Sequence, residues 1–191
     1  MINFLSAIRD KFHSTKNSFG CEDISAVKAK YGQLTDQPDK PLACIIWAPA
    51  FPFYKDILKD FAEYGEISNV KKRSYSKRDF EKAVRAIYAV DDIAKWKVDT
   101  KLKFFRNYEK SLITFDLLLN CPDYRINAAG TPVSATGTEA KRTIRQKHQN
   151  KVKDYIYDVV LHTCDNPYQS EYMQNIFDAG HTEFLDETVS V

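Results

Sequence analysis

Several features are missing from this 191-residue sequence, and each absence argues against a class of protein. None of the four cysteines lies in a C-x-x-C pair, which argues against a zinc ribbon or a thiol redox motif. No window approaches the roughly 18 consecutive apolar residues of a membrane span, and the first twelve residues lack the basic lead of a signal peptide. The formal net charge is only +2, so the chain as a whole does not attract nucleic acid strongly. These absences favour a cytoplasmic protein with no membrane partner.

The composition is that of a chain which folds around a real core. Hydrophobic residues make up 43% of the sequence and aromatic residues 13%, enough to argue against intrinsic disorder. A chain of this length supports one domain with extensions, or at most two small domains. We predict an N-terminal helical extension over 1–40, an α/β domain over 41–178 and an acidic C-terminal tail without regular structure over 179–191.

Apolar residues recur at helical or strand spacing along most of the chain. Within the extension they predict helices over 2–12 and 23–31, the second ending at Gly32. Within the domain the patterns predict the following elements: helices over 54–65, 78–93 and 167–177, and strands over 42–48, 66–76, 111–119 and 152–163. Segment 95–110 is predicted to be a short helix or a loop. The order β-α-β-α-β-loop-β-α predicts a two-layer α+β sandwich with a ferredoxin-like βαββαβ core.

His162 is the first candidate for chemistry, because it follows an apolar run at the end of a predicted strand. Side chains at such positions commonly meet ligands. A neutral imidazole acts as a nucleophile toward phosphorus or as a general base. The alternative is a structural histidine that packs at the strand end and bonds to backbone. Asp165 lies three residues later, placed to orient His162, and either Asp165 or Asn166 is predicted to cap the helix that begins at Pro167.

The segment 141–153 carries six Lys and Arg residues and no acid. Guanidinium groups match phosphate oxygens in pairs, so Arg145 and the upstream Arg125 suit a polyphosphate ligand. One alternative is a solvated helix face. Another is a nucleic-acid surface, for which the candidates are Arg142, Arg145, Lys147 and Lys151.

A Gly/Thr/Ser-rich stretch, 130–140, precedes the basic segment and is predicted to be a loop. It lacks the GxxxxGK[ST] spacing of a P-loop. Its backbone N–H groups are nevertheless of the kind that line anion sites. Flexible surface loops have the same composition, which leaves both interpretations open.

Taken together, these residues resemble the nucleoside diphosphate kinase family. That family has an arginine, a loop glycine and threonine, a T-I-R triplet and a nucleophilic histidine in an H-x-S-D-S motif that leads into a helix. The matching residues here are Arg125, Gly130-Thr131, Thr143-Ile144-Arg145 and His162-Thr163-Cys164-Asp165-Asn166. The resemblance spans 42–177, with motif-level similarity in 125–177.

The sequence also departs from the family pattern. The family's first strand ends in K-P-D, with the lysine on the phosphates, whereas this strand ends in Trp47-Ala48-Pro49. Lys55, on the following predicted helix, is the candidate substitute. Val159 and Cys164 replace an asparagine and a serine near the histidine, and the interval between Arg145 and His162 is longer than in the family.

The resemblance implies a phosphohistidine mechanism in a nucleotide-binding transferase. His162 would attack the terminal phosphate of a nucleoside triphosphate, and Arg125, Thr131, Arg145 and Lys55 would hold its oxygens. Mg²⁺ would arrive with the nucleotide, and no metal site of the protein's own is predicted. The alternative is a non-catalytic nucleotide or nucleic-acid binding module that uses 141–153. A third interpretation is an interaction protein in which this basic segment docks an acidic partner; homo-oligomerisation stays open.

Overall fold

A computed structural model describes residues 23–32, 40–91 and 93–185. The predicted helix over 2–12 lies outside these residues. The α-helices are α1 Ile24–Ala29, α2 Tyr54–Ala62, α3 Lys77–Ala89, α4 Lys95–Phe105, α5 Ala135–His148 and α6 Pro167–Asp178. The strands are β1 Leu42–Trp47, β2 Gly65–Ser74, β3 Ser111–Leu119, β4 Tyr124–Ile126, β5 Pro132–Ser134, β6 Leu161–Thr163 and β7 His181–Phe184.

Five of the strands form one antiparallel sheet in the order β6-β1-β3-β2-β7. Strands β4 and β5 pair separately as a short hairpin. The predicted mixed α+β fold is therefore confirmed. No helix in the described part of the chain is long and apolar enough to cross a membrane.

Strand β1 lies inside the sheet and is buried along its whole length. On one face, Phe115 lies opposite Cys44 and packs edge-on against Phe61 of α2, with ring centroids 5.1 Å apart. Helix α5 packs beside α2 on this face. On the other face, the Trp47 ring stacks on Tyr88 of α3 and on Phe105 of α4. Burial on both faces explains why the strand is a continuous apolar run and does not alternate.

The predicted strand over 152–163 is largely wrong, since only Leu161–Thr163 is extended in the sheet. Before it, Asp154, Tyr157 and Asp158 have φ values of 54°, 28° and 58°. This left-handed backbone is incompatible with a strand, whatever the apolar content of the segment. The chain therefore makes a tight turn here and then enters β6, an edge strand of only three residues.

Two further segments are more regular than predicted. The stretch 130–140 is not all loop, because β5 ends at Ser134 and α5 begins at Ala135. The Ser134 hydroxyl accepts the Gly137 N–H at 3.0 Å, which is the N-cap geometry that starts the helix. The C-terminal segment predicted to lack regular structure contains β7, which pairs with β2 from Lys71 to Ser74.

The described part of the N-terminal extension is docked. Helix α1 is capped by the Asp23 side chain, which accepts the Ser25 N–H at 2.7 Å. Val27 is buried against α6. The Gln169 side chain donates a hydrogen bond to the Tyr31 hydroxyl at 3.3 Å, which fixes the end of the extension to the domain.

Gly65 opens β2 so close to β3 that a side chain does not fit. A Cβ built on Gly65 would lie 2.8 Å from the carbonyl carbon of Leu118 and 2.9 Å from the Cα of Leu119. We expect Gly65→Ala to lower the free energy of unfolding in urea by about 2 kcal/mol or more, as overpacking does. Gly32→Ala is the control, because a Cβ there meets nothing within 4 Å. Equal stability of the two variants would contradict this close approach.

Candidate active site

His162 lies at the middle of β6, opposite Ile45 of β1, and its side chain faces the Trp47 side of the sheet. The residue is only 3% exposed. Its ring meets the edge of the Tyr88 ring, with centroids 5.5 Å apart. Its Nε2 atom lies 3.8 Å from Oδ2 of Asp91, beyond hydrogen-bonding distance, and has no hydrogen-bond partner within the described chain. The site therefore contains a buried ring nitrogen with an unused bonding position.

Two cations of α5 hold the outer edge of β6. The Trp47 N–H bonds to the Val160 carbonyl and the Cys164 N–H to the Ala43 carbonyl, both at 3.0 Å. The alternation of an antiparallel ladder then turns the carbonyls of residues 161 and 163 away from β1. The Arg145 guanidinium donates two hydrogen bonds to the Leu161 carbonyl, at 3.1 and 3.0 Å, and Lys141 Nζ donates one to the Thr163 carbonyl at 3.3 Å.

Both cations also pair with carboxylates beside the site. Arg145 lies 3.3 Å from Asp158, and Lys141 lies 2.9 Å from Asp165. Asp165 is therefore engaged by Lys141, and of the two residues predicted to cap α6 it is not the one that does so. The cap is Asn166, whose side chain accepts the Gln169 N–H at 3.1 Å.

A third cation reaches the site from α4. Lys101 is 5% exposed, and its Nζ atom donates to the Tyr88 hydroxyl at 3.0 Å and to the Tyr157 carbonyl. The same ammonium lies 4.5 Å from the centre of the Tyr88 ring, within cation–π range. Lys101, Lys141 and Arg145 therefore bring positive charge to His162 from two different helices.

Burial and these cations control the protonation of the site. Burial, followed by the charges of Lys141, Arg145 and Lys101, holds the pKa of His162 well below its ordinary value, so the imidazole is neutral. Burial, followed by the charge of Asp165, raises the pKa of Asp91 to about 7. Burial also lowers the pKa of Lys101 to about 8, although Asp158 opposes the shift. Perturbed groups gathered in this way are typical of functional sites.

The structure brings His162 and Arg145 together, but it places the other predicted phosphate ligands elsewhere. The Arg125 side chain is 74% exposed and pairs with Asp123 at 2.7 Å. Thr131 lies in the β4–β5 turn, where its N–H donates to the Asn127 side chain. Lys55 is exposed on α2, which covers the opposite face of the sheet from His162. No contact among the described residues joins Arg125, Thr131 or Lys55 to the imidazole.

The basic segment faces α2 along part of its length. Lys147 pairs with Asp60 at 2.5 Å, and Lys151 pairs with Asp56 at 3.2 Å. The Asp60 carboxylate also accepts a hydrogen bond from Nε2 of the buried His148 at 2.6 Å. Arg142 remains exposed and lines an open groove of about 490 Å³ together with Arg125. With Arg145 bonded to β6 and paired with Asp158, three of the four residues suggested for nucleic-acid contact are therefore engaged within the protein.

Sequence reasoning missed four side chains of the site, namely Tyr88, Asp91, Lys101 and Lys141. One signal was available for Lys101, which follows Val98 by three residues and precedes Phe105 by four. It therefore lies on the apolar face of α4, where an unpaired lysine is costly. No comparable signal marks Asp91, since a carboxylate just after a helix is ordinary on a surface.

The chain matches no family model, no curated protein and no solved structure. Within the described residues, no group of three or more His, Cys, Asp or Glu side chains is arranged to hold a metal ion. The donors of this site therefore do not fit a resident metal. Any Mg²⁺ would be bound through the oxygens of a ligand.

The raised pKa of Asp91 predicts a specific pH dependence of stability. A carboxyl whose pKa is near 7 when folded and 3.8 when unfolded binds more protons in the folded state between these values, so its ionisation destabilises the protein as pH rises from about 4 to 7. Asp91→Asn removes this loss. We expect urea denaturation to show the variant gaining on the order of 3 kcal/mol over the wild type between pH 4 and pH 8.

Asp154→Asn is the control for this measurement, because Asp154 is exposed and asparagine tolerates its left-handed backbone. Its stability relative to the wild type should stay nearly constant over the same range. A difference between Asp91→Asn and the wild type that does not change with pH would contradict the burial of an ionisable carboxyl at this position.

Proposed function

We propose that this protein is a nucleotide-binding phosphotransferase in which His162 accepts the terminal phosphoryl group of a nucleoside triphosphate. One observation carries the proposal. A buried, neutral imidazole has an unpartnered Nε2, and the side chains of Lys101, Lys141 and Arg145 bring positive charge around it. A structural histidine would use its ring nitrogens in hydrogen bonds, whereas a nucleophile needs one of them free.

The chemistry follows from this arrangement. The Nε2 lone pair forms a bond to the γ-phosphorus, the bond from that phosphorus to the bridging oxygen breaks, and the nucleoside diphosphate leaves with the electron pair. The proposal places the ring proton on Nδ1, where it stays during the attack, so that the attack requires no base. Lys101, Lys141 and Arg145 stabilise the charge on the phosphoryl oxygens, which is the main requirement of phosphoryl transfer.

An exposed aromatic pair lies beside the cationic cluster formed by Lys101, Lys141 and Arg145, and it supports a nucleotide as the phosphoryl donor. Trp96 is 56% exposed and Tyr157 is 45% exposed, and their rings meet edge-on with centroids 5.8 Å apart. The Tyr157 carbonyl accepts a hydrogen bond from Lys101, so the pair adjoins the cationic cluster directly. A base stacked on this surface would leave its phosphates close to the buried histidine.

The order of the elements supports a ferredoxin-like fold for the domain, which we propose as its class. In chain order, β1, β2, β3 and β6 occupy the second, fourth, third and first positions of the sheet, with α2 and α5 as the two crossing helices. The same order of strands and crossing helices is expected of a βαββαβ core, which supports the proposal. Together with the motifs around Arg145 and His162, it supports membership in a group resembling nucleoside diphosphate kinases.

A second candidate is a nucleotide-binding module at the same site that transfers no phosphate. The fully buried Trp47 ends the strand on which the kinase family carries a phosphate-binding lysine, and this difference favours binding without turnover. The nucleic-acid alternative has less support, because Lys147 and Lys151 are paired with carboxylates of α2.

Incubation with γ-³²P-labelled ATP separates the two candidates. We expect the wild-type protein to gain acid-labile, alkali-stable label, as a phosphohistidine does, and His162→Asn to gain none because it lacks the nucleophile. His181→Asn, which changes an exposed histidine of β7, is the matched control and should be labelled like the wild type. Equal labelling of both variants, or no labelling of the wild type despite ATP binding, would eliminate transfer through His162.

Trp96→Ala tests the aromatic pair as the base site. Stacking of one base on an aromatic ring contributes about 1–3 kcal/mol, so calorimetry should show ATP binding weakened roughly tenfold. Phe184→Ala removes another exposed ring, 74% exposed on β7, and should leave the affinity unchanged. If both variants bind ATP as the wild type does, the base does not stack on Trp96.

A further inference from the structure

We infer that the Asp91 carboxylate is a built-in competitor for the phosphoryl group, and that an oxyanion reaches His162 only by displacing it. The inference rests on the proposed function, since it concerns the same imidazole. It adds a control of access to the site: Tyr88 in the last turn of α3 and Asp91 just after that helix cover His162 when no ligand is bound. Asp91 is therefore assigned as a residue that sets access and anion affinity, and not as a catalytic residue.

The position of Asp91 is that of a ligand facing the nucleophile. Its Oδ2 atom lies 3.8 Å from the His162 Nε2, close to the roughly 3–3.5 Å that separates reacting atoms before attack. The side chain is 14% exposed, so it lies inside the site and not above it. A carboxylate and a phosphoryl group are both oxygen anions, and the cations that suit one also suit the other.

Asp91 is weakly held in this position. Its Oδ1 atom is buried and has no hydrogen-bond partner among the described residues, which is costly for a carboxylate. The cations nearby are already bonded: Arg145 to Asp158, Lys141 to Asp165, and Lys101 to Tyr88. The raised pKa of Asp91 agrees with a carboxyl that gains little from its surroundings.

The cover over His162 comes from one place in the chain. Tyr88 lies in the last turn of α3, which ends at Ala89, and Asp91 follows two residues after that end. Tyr88 meets the imidazole edge-on, while Asp91 faces Nε2. A shift confined to the end of α3 would therefore uncover the nucleophile without disturbing β6 or α5. A phosphate carries more charge and more oxygens than a carboxylate, so it gains more from the three cations.

The experiment measures the binding of inorganic phosphate by calorimetry at pH 8, where Asp91 is ionised. Asp91→Asn keeps the shape of the side chain and removes its charge, and Asp91→Ala removes both. We expect each variant to bind phosphate at least tenfold more tightly than the wild type. Asp154→Asn is the matched control and should bind like the wild type. Adding Lys101→Met to Asp91→Asn should abolish the gain, which locates the phosphate at this cluster.

Unchanged phosphate binding in both Asp91 variants would overturn the inference, as would the absence of binding in every variant. Circular dichroism establishes that the variants are folded, and two substitutions guard against a defect peculiar to one of them. The outcome for the proposed function is separate. If phosphate binds more tightly but ATP leaves no acid-labile label on His162, the competition by Asp91 stands and the transfer does not.

Discussion

The arrangement of the site depends on the contact between α5 and the open edge of β6. This strand has only three residues, and its outward carbonyls would be left without partners at the edge of the sheet. Arg145 and Lys141 supply those partners. The same contact fixes the strand that carries His162 and brings two positive charges to its imidazole. One contact therefore both positions β6 and places positive charge near the imidazole. It also explains why the motif residues Arg145 and His162 lie close together although a turn separates them in the chain.

Burial decides which form of each group is present. It keeps the imidazole neutral and pushes the Asp91 carboxyl toward its protonated form, while the surrounding cations are balanced by Asp158 and Asp165. The three cations, their carboxylate partners and Asp91 together therefore carry little net charge when no ligand is bound. A ligand that brings several oxygen anions changes that balance, and it finds the positive groups already positioned. Such preorganisation costs the protein no reorientation of dipoles when the ligand arrives.

Sequence periodicity predicted the elements that build the core, because their burial leaves a direct pattern. Strands β1 and β3 are apolar runs, and the apolar stripes of α2 and α3 match the buried residues. The short β6 was not separable from the residues before it, since the left-handed backbone at Tyr157 and Asp158 interrupts a segment whose apolar content is that of a strand. Tyr88, Asp91 and Lys101 were missed for another reason: they come from the long connection between β2 and β3, and only the folded sheet brings that connection to His162. The exposure of Arg125 depends on the direction of the β4–β5 hairpin, which motif spacing does not encode.

The most direct test of this account is the protonation of His162 itself, measured by two-bond ¹H–¹⁵N NMR on protein labelled at histidine. A ring held neutral by burial and three cations should keep the ¹⁵N shifts of a neutral imidazole well below pH 6.5, with Nε2 as the unprotonated nitrogen. The signals should disappear from the spectrum of His162→Asn, which assigns them. A His162 ring that gains its proton with a midpoint near its ordinary pKa of 6.5 would contradict the account, because it would place the imidazole in water and away from the cationic cluster.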